Sequence, residues 1–169
     1  QATTQGKHNG SVLRLSADGR TATRLGYGLR QPNLSVHPRS GLVVSSDQQG
    51  HYIPSTPLHI IEGDQFYGFL SDKLPKESYP APIAAPLTWI PHAVNASALS
   101  QVWLVDAQMG PLNEQMVQIC FNQPDLLRVL WNHRGAKPQA SVVSVAKGFA
   151  TPPLNGSVNP VDGQLYVAG

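Results

Sequence analysis

Apolar residues in this chain fall in short runs, each closed by Gly, Pro, Asp or Asn, and none keeps the spacing of a helix face beyond a single turn. Residues 12–15, 21–25, 35–37, 42–45, 58–61, 102–105, 116–121 and 126–131 read as strands; one helical turn is expected near 112–115. The order of these runs repeats. Residues 11–44 and 126–167 both carry an apolar-Arg-apolar strand, a Gly-bearing turn, a second strand, a Gly, a Pro, a Ser-Val strand, a Pro-x-x-Gly turn and a last apolar strand. Arg14 matches Arg128, Gly28 matches Gly148, Pro32 matches Pro152, Pro38 matches Pro160 and Gly41 matches Gly163. Short strands that recur with their turns cannot bury both faces within one unit. The pattern therefore predicts an all-β fold in which sheets stack on their neighbours, a β-propeller.

Residues 1–10 are polar and read as a loop or frayed end, and residues 11–169 as one partial propeller domain of about three to four blades. The segment 75–91 holds Pro75, Pro80, Pro82, Pro86 and Pro91 and reads as an extended loop over a surface. The chain opens without Met and closes on an apolar strand, so the expectation is an internal piece of a longer protein, with further blades elsewhere.

Composition narrows the classes. With 15 Gly and 15 Pro among 169 residues, turns are frequent, and the 41% hydrophobic content is that of a globular domain. A net charge of +2, with scattered Lys and Arg, lacks the basic stripe that nucleic acid requires. No apolar run approaches the length of a membrane-spanning helix. Cys120 is alone within MVQICF and reads as a small buried side chain.

The most specific stretch spans residues 28–69. It holds Gly28-Leu29-Arg30-Gln31-Pro32-Asn33, then Val44-Ser45-Ser46-Asp47, then Gln48-Gln49-Gly50, and finally Glu62-Gly63-Asp64-Gln65-Phe66-Tyr67-Gly68. This series resembles the glucose/sorbosone dehydrogenase-like six-bladed propellers, including the planctomycete-type membrane-bound-dehydrogenase-like proteins and, more distantly, the soluble quinoprotein glucose dehydrogenases. The resemblance implies an oxidoreductase that acts on a sugar, aldose or polyol, with pyrroloquinoline quinone and calcium as cofactors and a periplasmic or extracellular location. It implies that Arg30 and Gln31 contact the quinone and that backbone carbonyls of Gln48 and Gln49 face the calcium ion. A guanidinium forks onto carboxylate or quinone oxygens, and calcium accepts carbonyl oxygens from an adaptable loop. Gln31 stands where the family carries Asn, and Leu29 where the quinoproteins carry His. By the same resemblance the catalytic base belongs to a blade that precedes this chain, so no catalytic residue is assigned.

Other readings of the same residues stay open. Arg30 could form a structural fork to carbonyls, and Asp47 could cap a turn through its side chain. His51, His59 and His92 lack metal-ligand spacing, and His37 and His133 lie in turns. Trp89, Trp103 and Trp131 read as space-fillers between blades. Asn33, Asn95 and Asn155 head N-x-S sequons. No nucleophile elbow, phosphate loop or dinucleotide fingerprint is present in the sequence. Two functions follow: a quinone-dependent sugar dehydrogenase, or a non-catalytic propeller that binds carbohydrate or protein on its loop face.

Overall fold

In a computed structural model of the chain, residues 8–48, 55–69 and 82–169 are described. They form thirteen strands and, among the described residues, no α-helix: β1 (Ser11–Leu15), β2 (Ala22–Tyr27), β3 (Asn33–Val36), β4 (Val43–Ser46), β5 (Ser55–Ile60), β6 (Gln65–Phe66), β7 (Thr88–Pro91), β8 (Ala98–Trp103), β9 (Met116–Cys120), β10 (Asp125–Asn132), β11 (Gln139–Lys147), β12 (Asn155–Val158) and β13 (Leu165–Ala168). A 3-10 turn, Gly110–Leu112, carries Pro111 near its start, where a missing N–H breaks no hydrogen bond.

Two sheets are four-stranded, in the orders β3-β4-β5-β7 and β8-β9-β10-β11, and every neighbouring pair within them is antiparallel. They are flanked by the three-stranded β1-β2-β6 and the pair β12-β13. The assembly is open. The first strands of successive sheets touch, β3 against β8 and β8 against β12.

The core lies between sheets rather than at one centre. Val12 and Leu29 of the first sheet and its exit pack against Ile61 and Tyr67. Val44 and Leu58 of the second meet Met116 and Val129 of the third. Val102, Val117 and Ile119 of the third meet Val158 and Leu165 of the last pair. Strands covered on both faces need not alternate, which is why all five residues of β9 are buried. By contrast, β11 at a sheet edge alternates along its whole length.

The sequence repeat is a repeat of geometry. β1-β2-β3-β4 corresponds to β10-β11-β12-β13. Register shifts fall between Val12 and Leu13 in one and between Leu126 and Leu127 in the other, at matched positions. Gly28 and Gly148 leave their strands at φ 77° and 76°. The turns after β3 and β12 close alike, with His37 N–H donating to Leu42 O at 2.8 Å and Asn159 N–H to Gln164 O at 3.0 Å.

The proline-rich segment departs from the expected loop. Its described end, Thr88–Pro91, is strand β7, paired to β5 from Ser55↔Pro91 to Leu58↔Thr88. The strand lies at a sheet edge and Pro91 at its last residue, where a missing donor breaks no ladder. The earlier prolines Pro75 and Pro80 lie outside the described residues.

Candidate functional site

The ends of β2, β4, β7 and β9 and the starts of β3, β5, β8 and β10 gather at one end of the sheets, as the antiparallel order requires. The Arg30 loop lies there because Gly28 turns the chain out of β2. Its positive φ suits glycine, and a Cβ at Gly28 would lie 2.3 Å from the Phe66 ring. Phe66 is held in place by the acidic turn that follows β5. Asp64 N–H donates to Leu25 O at 3.0 Å, Tyr67 N–H to Tyr27 O at 2.8 Å and Phe69 N–H to Gly28 O at 2.7 Å. Arg24 forks onto Asp64, Nε to Oδ1 at 2.6 Å and Nη2 to Oδ2 at 3.0 Å. Gly26-Tyr27-Gly28 at the end of β2 and Phe66-Tyr67-Gly68 of the turn are therefore two halves of one contact. At the hinge of that turn, the Tyr67 hydroxyl donates to Ile60 O at 2.8 Å and accepts from Glu62 N–H at 3.0 Å.

Asp47 organises the corner. Its Oδ2 accepts from Arg30 N–H at 2.8 Å, and its Oδ1 accepts from Gln31 N–H at 2.7 Å and from Gln48 N–H at 2.9 Å. Burial pushes its carboxyl up to about 6, outweighing these three hydrogen bonds and the nearby Arg30 charge, which act the other way. Of the two roles open to Asp47, the capping one is what the structure contains. Both of its oxygens are occupied by backbone N–H groups, and the loop that carries Arg30 and Gln31 is fixed by it.

Three of the four expected site residues, Arg30, Gln31 and Gln48, lie among the described residues. Arg30 is half-buried and Gln31 exposed, both directly above the Asp47 clamp. Gln48 is half-buried and donates from Nε2 to Ser97 Oγ at 3.0 Å. Gln49 and His51 lie outside the described residues. Leu29 is 1% exposed and belongs to the apolar cluster with Val12, Ile61 and Tyr67, so it points into the core.

The loop from β7 to β8 adds polar groups that residue spacing did not single out for this site. Thr56 Oγ1 donates to Asn95 O at 2.7 Å, and Ser97 N–H donates to Asn95 Oδ1 at 3.2 Å, while Asn95 Nδ2 is buried without a partner. Asn95 and Ser97 were legible only as a sequon, and full burial of Asn95 closes that site to a glycan. Deeper, Gln101 Nε2 reaches Ser46 Oγ at 2.6 Å and Gln118 Oε1 at 2.9 Å, a buried amide and hydroxyl network joining the second and third sheets.

His59 is not at the site. It sits on β5 at 1% exposure, edge-on to Tyr67 at 4.8 Å, with neither ring nitrogen hydrogen-bonded, and burial holds it down at about 4. Cys120 is fully buried and its thiol is pushed up to about 12 by burial, which leaves it inert. Trp103 and Trp131 do fill an inter-sheet space, stacked at 5.8 Å, but Trp89 is 45% exposed. His37 and His133 flank that pair, at 4.6 Å from Trp103 and 5.8 Å from Trp131. Among the described residues no three His, Cys, Asp or Glu side chains converge on a common point. No helix among them is long and apolar enough to cross a membrane.

No protein-family model and no curated protein matches the chain. Solved structures do. An oxidoreductase described as a glucose dehydrogenase from Thermus thermophilus is 20% identical with a TM-score of 0.66, over 94% of this chain and 48% of that one. The apo soluble aldose sugar dehydrogenase of Escherichia coli is 14% identical with a TM-score of 0.66, over 94% and 51%. The aldose sugar dehydrogenase of Streptomyces coelicolor in its PQQ-bound form is 13% identical with a TM-score of 0.65, over 94% and 45%. The chain has the fold of glucose and aldose sugar dehydrogenases and spans about half the length of these structures.

Proposed function

We propose that the chain is part of the six-bladed propeller of a sugar, aldose or polyol dehydrogenase-like protein, with two complete four-stranded blades and two half-blades of the ring present here. The observation that carries this reading is the Arg30-Gln31 corner: two donor-rich side chains on a loop whose backbone N–H groups are already taken up by Asp47, in a fold shared with a PQQ-bound aldose sugar dehydrogenase.

The donor set suits pyrroloquinoline quinone, whose carboxylates and quinone oxygens accept from a guanidinium and a carboxamide. Arg30 and Gln31 would hold it, and the quinone, when bound, would supply the hydride acceptor. Asp47 commits both oxygens to N–H donors, so a calcium ion would draw on the carbonyls of Gln48 and Gln49 instead. Asp47 orients, Arg30 and Gln31 bind, and the substrate's proton falls to a base outside this chain.

One observation favours a second reading. Leu29, where the resemblance places a His, is a core residue, and a quinone site without that His suits a propeller that binds carbohydrate or protein on its loop face. Titration with pyrroloquinoline quinone and calcium separates the two. A stoichiometric absorbance change with a rise in Tm supports the quinoprotein. Absence of any response, with carbohydrate or protein binding retained, supports the binding module.

A further inference from the structure

A chain of hydrogen bonds ties the exit of β4 to the loop that enters β8, and it ends on the candidate site. Thr56 Oγ1 of β5 donates to Asn95 O at 2.7 Å, Asn95 Oδ1 accepts from Ser97 N–H at 3.2 Å, and Ser97 Oγ accepts from Gln48 Nε2 at 3.0 Å. Gln48 is thereby held twice, since its own N–H donates to Asp47 Oδ1 at 2.9 Å. One anchor belongs to the second sheet and the other to the third. Beside them Ser46 Oγ donates to Leu99 O at 2.7 Å, so the two segments are fixed to each other at more than one point.

This arrangement differs from the stitching found elsewhere in the fold. Asn95 is fully buried and its Nδ2 has no hydrogen-bond partner, a loss of stability that a small apolar residue would avoid. Asn95 nonetheless supplies the acceptor that fixes Ser97. The repeat, moreover, does not keep the bond. Val36↔Val43 and Trp103↔Met116 are the last pairs before turns closed alike, by His37 N–H to Leu42 O and by Leu104 N–H to Gln115 O, both at 2.8 Å. Asp47 and Gln48 therefore stand where Cys120 and Phe121 stand after β9, and the loop that enters β12 runs Thr151-Pro152-Pro153-Leu154. Phe121 has no side-chain donor, so that junction holds no equivalent of the Gln48–Ser97 bond.

We infer that Ser97, oriented by Asn95, is a positioning residue for the proposed calcium site: it locks the Gln48 side chain to the third sheet and so sets the direction in which the Gln48 carbonyl meets the ion. The inference rests on the reading of Gln48 as a calcium-facing residue. Carbonyl ligands of calcium come from adaptable loops, so the ion is held tightly only where the loop's shape is fixed before it arrives. Ser97 acts through Gln48, as the outer partners of metal ligands do. The Asn95-Ala96-Ser97 sequon thus serves the site through its own side chains.

Calcium affinity in a double-mutant cycle is the test. Wild type, Ser97→Ala, Gln48→Met and the double variant are titrated with calcium chloride alone, followed by calorimetry and by the rise in Tm. Ser97→Ala and Gln48→Met should each weaken calcium binding about tenfold or more, as removal of an outer partner does, and the double variant should be no weaker than either. Ser97→Thr, which keeps the hydroxyl, should bind within about twofold of wild type. Gln48→Met leaves the loop into β8 untouched and tests the same bond should Ser97→Ala fail to fold. Wild-type affinity in Ser97→Ala overturns the inference and leaves the calcium reading standing. Additive losses in the double variant overturn it as well, as does a loss in Ser97→Thr equal to that in Ser97→Ala. No calcium response from wild type removes the calcium reading, and the inference with it.

Discussion

Two corners of this molecule share a backbone and differ in chemistry. Gly28 and Gly148 both end an outer strand at nearly the same positive φ, and Leu29 N–H to Gly10 O at 3.0 Å is matched by Phe149 N–H to Pro124 O at 3.4 Å. Beyond that the corners part. Where the first has Arg30, Gln31 and the Asp47 clamp, the second has Ala150, Thr151 and Gly169. A Cβ at Gly169 would lie 2.4 Å from Pro152 O, so no acidic side chain can stand where Asp47 stands. The scaffold is thus a property of the repeat, and the donor-rich corner is an addition at one position. What recurs serves the fold; what differs at a matched position is where function is to be sought.

The glycines offer the largest test of that comparison. Gly28→Ala meets the Phe66 ring at 2.3 Å and an unfavourable φ, so it should lower stability by about 3 kcal/mol or more. Gly148→Ala meets nothing within 4 Å and is strained only by its φ, at a cost of about 1–2 kcal/mol. Chemical denaturation of the two variants measures the difference, and equal losses would show that the Phe66 contact is not what distinguishes the corners.

Asp47→Ala comes next. It leaves the N–H groups of Arg30, Gln31 and Gln48 without their acceptor, and a loss of about 2–3 kcal/mol is expected, with faster amide exchange confined to the 30–31 loop.

A smaller effect concerns pH. The Asp47 carboxyl lies at about 6 in the fold and near 3.8 unfolded, so the stability it contributes below pH 4 is lost as pH rises to 6. His59 lies at about 4 in the fold and near 6.5 unfolded, so its ionisation opposes folding below that window and stability is gained as pH rises from 4 to 6.5. The two slopes oppose, and stability should be nearly flat from pH 4 to 6. His59→Leu places at β5 the residue that Leu127 provides at the equivalent point of β10, opposite Gln118 as His59 is opposite Ser45. That variant should become less stable as pH rises through the window, by up to about 1 kcal/mol per pH unit. Denaturant melts at pH 4, 5 and 6 check the sign; a flat profile in His59→Leu would break the opposition.

Much of the fold was legible in the sequence because turns advertise themselves. Gly28, Gly41, Gly148 and Gly163 all have positive φ, and the prolines beside them recur at fixed offsets. Strand β7 was hidden, since prolines at 86 and 91 mask a short edge strand whose partner is about thirty residues away in sequence. The site was legible only as residue types. Arg30, Gln31 and Asp47 could be picked out, but the donors that tie the first two to the Asp47 carboxylate are backbone N–H groups, which carry no signature in side-chain spacing. His59 lacked metal-ligand spacing in the sequence, but nothing local reveals that Tyr67 folds back over it. Gln101 and Gln118 read as ordinary strand positions, and only the meeting of two sheets turns them into a buried network.

The most direct test of the account exchanges the corners' side chains. Wild type, Arg30→Ala and Ala150→Arg are titrated with pyrroloquinoline quinone in the presence of calcium, followed by absorbance. The account predicts stoichiometric binding by wild type, affinity weakened about tenfold or more in Arg30→Ala, and wild-type binding with no second site in Ala150→Arg. Identical binding by wild type and Arg30→Ala, or no binding by wild type at all, would contradict it.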